Sequence, residues 1–374
     1  MTQHLYVHVP FCVRRCSYCD FSIAVRKHVP AREYLDAVLQ EARRGSNVPG
    51  ELETIYFGGG TPSLLPAPAV GRLVQELTHL FRVPHSAFPV EITLEANPED
   101  VTESNARAWS GAGVNRVSLG AQSFDDRVLA WMHRSHAAAR IGDAVRTLRT
   151  AGIDNISLDL IFGLPGELQR DWARDLDLAL ALRPTHLSLY GLTVEPRTPL
   201  DRWISRGATH APDEARYADE YLYAHRRLSA DGFAFYEVSN ASRNGFISRH
   251  NSAYWSGRPY TGLGPAAHSF DGRTRRWNLP AWEAYRRALA DGRSAVESAE
   301  TLTGEQRELE GLYLGLRTAE GLPLRRLPAS CGNRWVREGW VTVTEDRLRC
   351  TPDGWLRLDS LVQELTRLGT PQLP

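Results

Sequence analysis

Lysine is nearly absent from this sequence: Lys27 stands alone among 44 basic residues, and the other cations are arginines. Their planar forks suit carboxylate partners better than a flexible ammonium does. Acidic residues also number 44, so the formal net charge is zero and no overall field gathers nucleic acid or an anionic membrane. No apolar run reaches the roughly 18 residues of a membrane-spanning helix, which argues against an integral membrane protein and leaves only peripheral contact open. The opening MTQHLYVHVP has neither a basic n-region nor a long apolar stretch, so it does not read as a secretory signal. Repeats at a fixed period and low-complexity tracts are missing too. Cysteine is sparse, five in 374 residues. Together these absences point to the cytoplasm, where thiols stay reduced and a tight cysteine cluster is a metal site before it is a disulfide framework.

What is present is an ordinary globular composition, 42% hydrophobic and 24% charged, enough to bury a sizeable core. From residue 4 to about 230 short β-rich runs alternate with longer amphipathic ones. LYVHV (5–9), TIYF (54–57), VEITLE (90–95), RVSLG (116–120), ISLDLIF (156–162) and HLSLY (186–190) read as strands. Near-continuous apolar strands separated by helices imply parallel pairing with right-handed crossovers. Six such units predict an α/β fold, a partial (β/α)6 barrel rather than the full eight. Polar or glycine-rich stretches follow the strands directly, as in HVPFC, FGGGTPS, EANPED and GAQSF. That places the chemistry on the rim at the C-terminal strand ends.

Domain boundaries are expected at 1–230 for the barrel, 231–299 for an extension and 300–374 for a small domain. The extension holds a strand at FAFYEVS followed by a glycine- and aromatic-rich loop. In the last segment TGEQRELEGLYLGLR is amphipathic, GWVTVTEDRLRC reads as a hairpin turning at Glu345 and Asp346, and GWLRLDSLVQELTRL closes the chain as one helix. That order suggests a winged-helix-like α+β domain. Residues 301–374 carry ten acidic and ten basic side chains, so a packing or partner-docking role is preferred to DNA binding.

Three of the five cysteines crowd into FCVRRCSYCD, as Cys12, Cys16 and Cys19. Structural zinc wants four protein ligands, and no further Cys or His follows at finger spacing. A cubane iron–sulfur cluster has four irons, so three thiolates leave one iron open for a non-protein ligand. Chance proximity or an incomplete zinc loop is the plainer alternative. FGGGTP, one unit later, brings Gly58, Gly59 and Gly60, whose backbone can approach a ligand closely. Glu95 ends the third strand, placed to accept from a ligand's amino group or ribose, or to cap a helix. Gln122, Arg134 and Asp159 fall on the same rim, although an Arg134–Asp159 pair also suits a purely structural role. Farther on, SRHNSAYWSGRPYTGLGPAAHSF offers His250 and His268 as metal ligands. Its Tyr254, Trp255 and Tyr260 supply flat faces for a planar macrocycle. Hydrogen-bonded histidines under an aromatic lid are the bland reading of the same residues.

The cysteine spacing with the glycine turn resembles the radical S-adenosyl-L-methionine superfamily. That resemblance implies a 4Fe-4S cluster chelated by S-adenosyl-L-methionine, whose sulfur–carbon bond an electron from the cluster can break. More closely, the chain resembles the HemW-type haem chaperones, relatives of oxygen-independent coproporphyrinogen III oxidase. The likeness runs nearly end to end, through YVHVPFCVRRCSYCDF, YFGGGTPSLL, EANPE, RVSLGAQSF, Arg134 with His136, SLDLIFGLPGE, HLSLYGLTVEP, YEVSNAS, RHNSAYW and GLGPAAHS. It implies Cys12, Cys16 and Cys19 as cluster ligands, with Tyr6, Gly59, Glu95 and His268 lining the bound S-adenosyl-L-methionine. Tyr18, Gly60, Thr61, Gln122, Arg134, Asp159 and Thr193 match further contact positions, which in the oxidase hold a second molecule.

HNSAYW matches the HNxxYW pattern associated with haem binding, with His250 as the iron-ligand candidate beside Tyr254 and Trp255. Many family members have cysteine where this chain has Ser248. The resemblance further implies delivery of haem to acceptor proteins, with no catalytic residue assigned and little or no turnover. The oxidase itself is disfavoured by Phe21, where oxidases carry an additional cysteine, and by the expected lack of a long segment before Cys12. A radical methyltransferase or cyclopropanase of the same branch shares the core, but gives HNSAYW no required role. Oligomeric state stays open.

Overall fold

The computed structural model describes residues 2–45, 51–81, 89–326 and 329–369. Six strands, β1 (Thr2–Val9), β2 (Glu51–Gly59), β3 (Glu91–Ala96), β4 (Arg116–Gln122), β5 (Asn155–Phe162) and β6 (His186–Gly191), lie side by side in chain order and pair in parallel throughout. The six strands read from the sequence are these six, five of them a little longer than the apolar run and β3 the same length shifted by one residue. Helices α1 (Ala31–Gly45), α2 (Ala67–Leu80), α3 (Glu103–Gly111), α4 (Asp126–Trp131), α5 (Ala139–Thr150) and α6 (Trp172–Ala181) fill the crossovers. The barrel does not close. Beyond β6 come helices α7 (Pro199–Ser205) and α8 (Glu214–Ala230), then β7 (Ala234–Glu237) and β8 (Asn240–Ser242), with β8 antiparallel to β6. After helix α9 (Arg249–Trp255), strand β9 (Thr261–Leu263) returns to the opposite edge and pairs in parallel with β1.

The strands are apolar on one face only. Leu5, Val7, Val9, Ile55, Phe57, Ile92, Leu94, Val117 and Leu119 are buried together with the helices' inner faces. Each such side chain contributes about 1.5–3 kcal/mol by leaving water. The alternate residues, His4, Tyr6, His8, Thr54, Tyr56, Glu91, Glu95, Arg116, Ser118, Asp159 and His186, share the inside of the curved sheet. Expectation and structure differ here, because the interior is a hydrogen-bonded polar core and not a second apolar layer.

Strand β10 (His268–Phe270), β11 (Thr274–Asn278) and β12 (Val296–Thr301) form an antiparallel sheet, with helix α10 (Trp282–Ala290) between the last two. Helix α11 (Gly304–Arg317) opens on a capping box between Thr303 and Gln306. There follow β13 (Leu322–Pro323), α12 (Ala329–Arg337), and β14 (Val341–Thr344) with β15 (Arg347–Cys350) as a hairpin. Glu345 takes the left-handed conformation at its turn, with φ of 59°. The expected single closing helix is two, α13 (Pro352–Trp355) and α14 (Leu358–Gly369). The expected loop at 248–255 is instead helix α9, capped by the Ser248 hydroxyl on the Asn251 amide.

Candidate functional site

At the C-terminal ends of β1 to β6 the rim encloses a cavity of about 510 Å³. Cys12, Cys16 and Cys19 form one wall with Tyr18, and all three cysteines are free thiols. The Thr61 hydroxyl donates to Cys12 Sγ at 3.4 Å, and Arg134 Nη1 donates to Cys16 Sγ at 3.6 Å. Burial raises the Cys12 thiol, with the Thr61 bond opposing it, and burial also pushes Cys19 up to about 11. Such thiols stay protonated until a cation replaces the proton, as iron does. Among the described residues no three His, Cys, Asp or Glu side chains converge tightly enough for a single ion. Three thiols around one cavity, too far apart for one ion, suit a polynuclear cluster, whose ligands stand farther from one another.

The opposite wall is built by β2 to β5. Glu95 accepts from the Tyr56 hydroxyl at 2.8 Å and from the Gly59 amide at 3.1 Å. Burial drives its carboxyl up to about 7; the Tyr56 bond opposes this and Asp159 adds to it. Asp159 accepts from Ser118 at 2.9 and 3.0 Å and is likewise raised by burial. Arg116 lies near enough to lower both carboxyls. Its side chain is 1% exposed, with Nε and Nη1 lacking partners among the described residues.

The glycines serve the protein's own packing first. Gly59 has φ of 111°, and a Cβ there would stand 2.6 Å from the His8 ring. At Gly60 it would meet the Phe11 carbonyl oxygen at 2.7 Å. Gln122, with φ of 65°, sits at a register shift in β4 that turns its side chain to the cavity. Strain and bulges of this kind gather at functional sites.

Twelve of the residues singled out from the sequence line this cavity: the three cysteines, Tyr18, Gly59, Gly60, Thr61, Glu95, Gln122, Arg134, Asp159 and the exposed Thr193. Arg134 does not meet Asp159. Its Nη2 donates to the Gly120 carbonyl at 3.0 Å and to Asn97. His136 ties the Ala121 carbonyl at 3.2 Å beside Glu99. Tyr6 lies deeper, its hydroxyl 3.1 Å from His8 Nδ1. His268 is exposed on β10 and stacks on Trp277.

The HNSAYW segment sits at the other end of the barrel. His250 is fully buried, with Nδ1 2.7 Å from the Thr54 hydroxyl and Nε2 2.8 Å from the Tyr254 hydroxyl. Both ring nitrogens are therefore occupied, and an iron ligand role requires one of these bonds to break. Trp255 faces away from the barrel into a separate cleft. The sequence reading missed Asn97, Ser118 and Tyr190 in the cavity wall. Period-two alternation from Gly120 and Asp159 was the available signal for Ser118 and for the inner face generally.

The sequence pattern of the radical SAM superfamily matches residues 6–179. The heme chaperone HemW of Mycobacterium tuberculosis is 38% identical over 370 residues, covering 96% of this chain and 94% of that protein. The HemW of Bacillus subtilis is 34% identical over 87% of this chain and 86% of its own length. The mitochondrial radical S-adenosyl methionine domain-containing protein 1 of Bos taurus is 33% identical over 96% and 86%. Among solved structures, the coproporphyrinogen III oxidase HemN of Escherichia coli superposes with a TM-score of 0.82, covering 96% of this chain and 89% of that one at 22% identity, a likeness of fold.

Proposed function

The chain belongs to the HemW family of the radical SAM superfamily, and from that premise we propose that it binds haem and passes it to acceptor proteins. The supporting observation is relationship along almost the whole length to proteins named heme chaperones, rather than over the barrel alone. In this reading Cys12, Cys16 and Cys19 hold a 4Fe-4S cluster. Glu95 and the Gly59 edge of the cavity would hold the amino group of S-adenosyl-L-methionine. When bound, the cluster would supply an open iron for the amino and carboxylate groups of the methionine end to chelate, and reducing electrons. Arg134 orients the wall through Cys16, Asn97 and Gly120. Asp159 and Gln122 present a carboxylate and an amide to the rest of the nucleoside. The protein works in the cytoplasm, without nucleic acid.

A decarboxylating oxidase shares the fold. Phe21, 58% exposed at the cavity mouth, stands where the resemblance gives oxidases a further cysteine. The deciding experiment is an anaerobic titration of cluster-loaded protein with haem, followed at the Soret band, then mixing with an apo-cytochrome. One saturable equivalent of haem that moves to the acceptor is the expected result. Weak, non-saturating binding together with consumption of coproporphyrinogen III overturns the chaperone reading in favour of the oxidase.

A further inference from the structure

Helix α9 has two faces, and only one is taken up inside the barrel. His250 and Tyr254 face inward. Ser252 and Trp255 line a cleft of about 710 Å³ between α9 and the C-terminal elements, a volume in the ordinary range for a small-molecule site. One wall is the side of α11 that carries Gly311 and Gly315: a Cβ at Gly315 would run into Leu322 Cδ2, so Leu322 packs directly on the helix there, and the Arg326 guanidinium lies nearest Gly311. Ile247, 46% exposed, and Leu314 make the cleft apolar. Arg317 holds the Trp255 ring from one side at 4.1 Å, and Trp255 Nε1 is buried with no partner among the described residues.

The charged side chains of the lining are Arg326, Arg347 and Glu320. Arg347 pairs with Glu320 at 3.1 Å, while Arg326 makes no hydrogen bond or ion pair among the described residues. An excess positive charge therefore stands at the edge of a largely apolar cleft. No His, Cys or Met belongs to the described lining, so the cleft suits a ring and its anions and not a metal.

We propose that this cleft takes the tetrapyrrole, the ring held among Trp255, Ile247 and Leu314, the propionate carboxylates turned to Arg326 and Arg347. The proposal rests on the haem reading and places that ligand outside the barrel. His250 then acts as an internal strut: it anchors, through Tyr254, the helix whose outer face carries Trp255.

The test is haem titration of the full chain as wild type, Arg326→Glu and Gly311→Leu. Arg326 is exposed, so its reversal leaves folding intact. A Cβ at Gly311 would meet only the Arg326 guanidinium, at 3.4 Å, and leucine favours the helix more than glycine. Both variants are expected to weaken haem binding by about tenfold or more, the size of one lost charge-assisted contact or a blocked cleft. Their iron and sulfide content and melting temperature are expected to stay at the wild-type values. Metal-free protoporphyrin is expected to compete with haem. Unchanged haem affinity in both variants, or failure of protoporphyrin to compete, overturns the cleft and leaves the haem reading standing. Absence of saturable binding in the wild type overturns both.

Discussion

Glu95 is buried where the proposed ligand amino group needs it charged. Folded, its carboxyl titrates at about 7 instead of 4.5, because burial outweighs the Tyr56 and Gly59 hydrogen bonds and Asp159 adds repulsion. Between those two values the folded chain holds a proton that the unfolded chain has released. This residue therefore favours folding as pH falls from 7 toward 4.5 and disfavours it above 7. Glu95→Gln should melt higher than wild type at pH 8, with the gap closing by pH 5; parallel melting curves across that range would show that Glu95 titrates normally. A cationic ligand amino group needs the ionised form, so S-adenosyl-L-methionine affinity should drop below pH 7 by up to about tenfold per unit. Isothermal titration at pH 6 and pH 8 reads this directly. Cys16→Ser should purify, after anaerobic reconstitution, with iron and sulfide close to background, since two thiols leave a cubane's other irons without protein ligands. Cluster content equal to wild type would remove Cys16 from the ligand set. These residues were legible because their chemistry sits in short contiguous strings. Arg116 was not, because an arginine inside RVSLG looks like any strand end until the register places it beside Glu95 and Asp159.

Among the elements, α9 was the hardest to foresee. It has seven residues, and its sequence is dense in serine, tyrosine and tryptophan, leaving no periodic apolar stripe to read. Its cause is tertiary. Both Glu91 oxygens, 3.0 Å from the Arg249 and His250 amides, occupy the donors that begin every helix. The Ser248 hydroxyl takes the Asn251 amide, so serine here has a capping role of its own. Glu91→Ala should cost roughly 2–4 kcal/mol, two charge-assisted bonds to buried amides, measurable by urea denaturation. A loss below about 0.5 kcal/mol, the level of an unremarkable surface change, would mean the helix holds without its carboxylate. The six parallel strands were legible for the opposite reason: their outer faces repeat Val, Ile, Leu and Phe at every second position. Their polar inner faces read as interruptions until the sheet curved around them.

For the whole molecule, the cysteine loop and α9 mark opposite ends of one barrel. Cys12 follows the C-terminal end of β1, whereas His250 meets the β2 residue Thr54, paired with His4 near the start of β1. Roughly five residues of strand at about 3.3 Å each separate the two levels. Tyr56 is one link between the levels, stacking on His250 at 5.0 Å and donating to Glu95. Neither of these partners bonds a cysteine among the described residues, so coupling to the cysteine loop is expected to be weak. The haem affinity of Cys16→Ser should therefore stay within about twofold of wild type, the usual limit for uncoupled positions. A larger change would reveal a coupled switch between cluster and haem. The unclosed sheet carries one more consequence, in time. The outer edge of β1, which leads into the cysteine loop, is covered by β9, and β9 ends at Leu263. A ribosome adding about 5–20 residues per second needs roughly 10–50 s to travel from one strand to the other. Throughout that interval the growing polypeptide shows a bare row of amides and carbonyls beside its three thiols. Synthesis in the cell thus sets a waiting period in which this strand needs shielding.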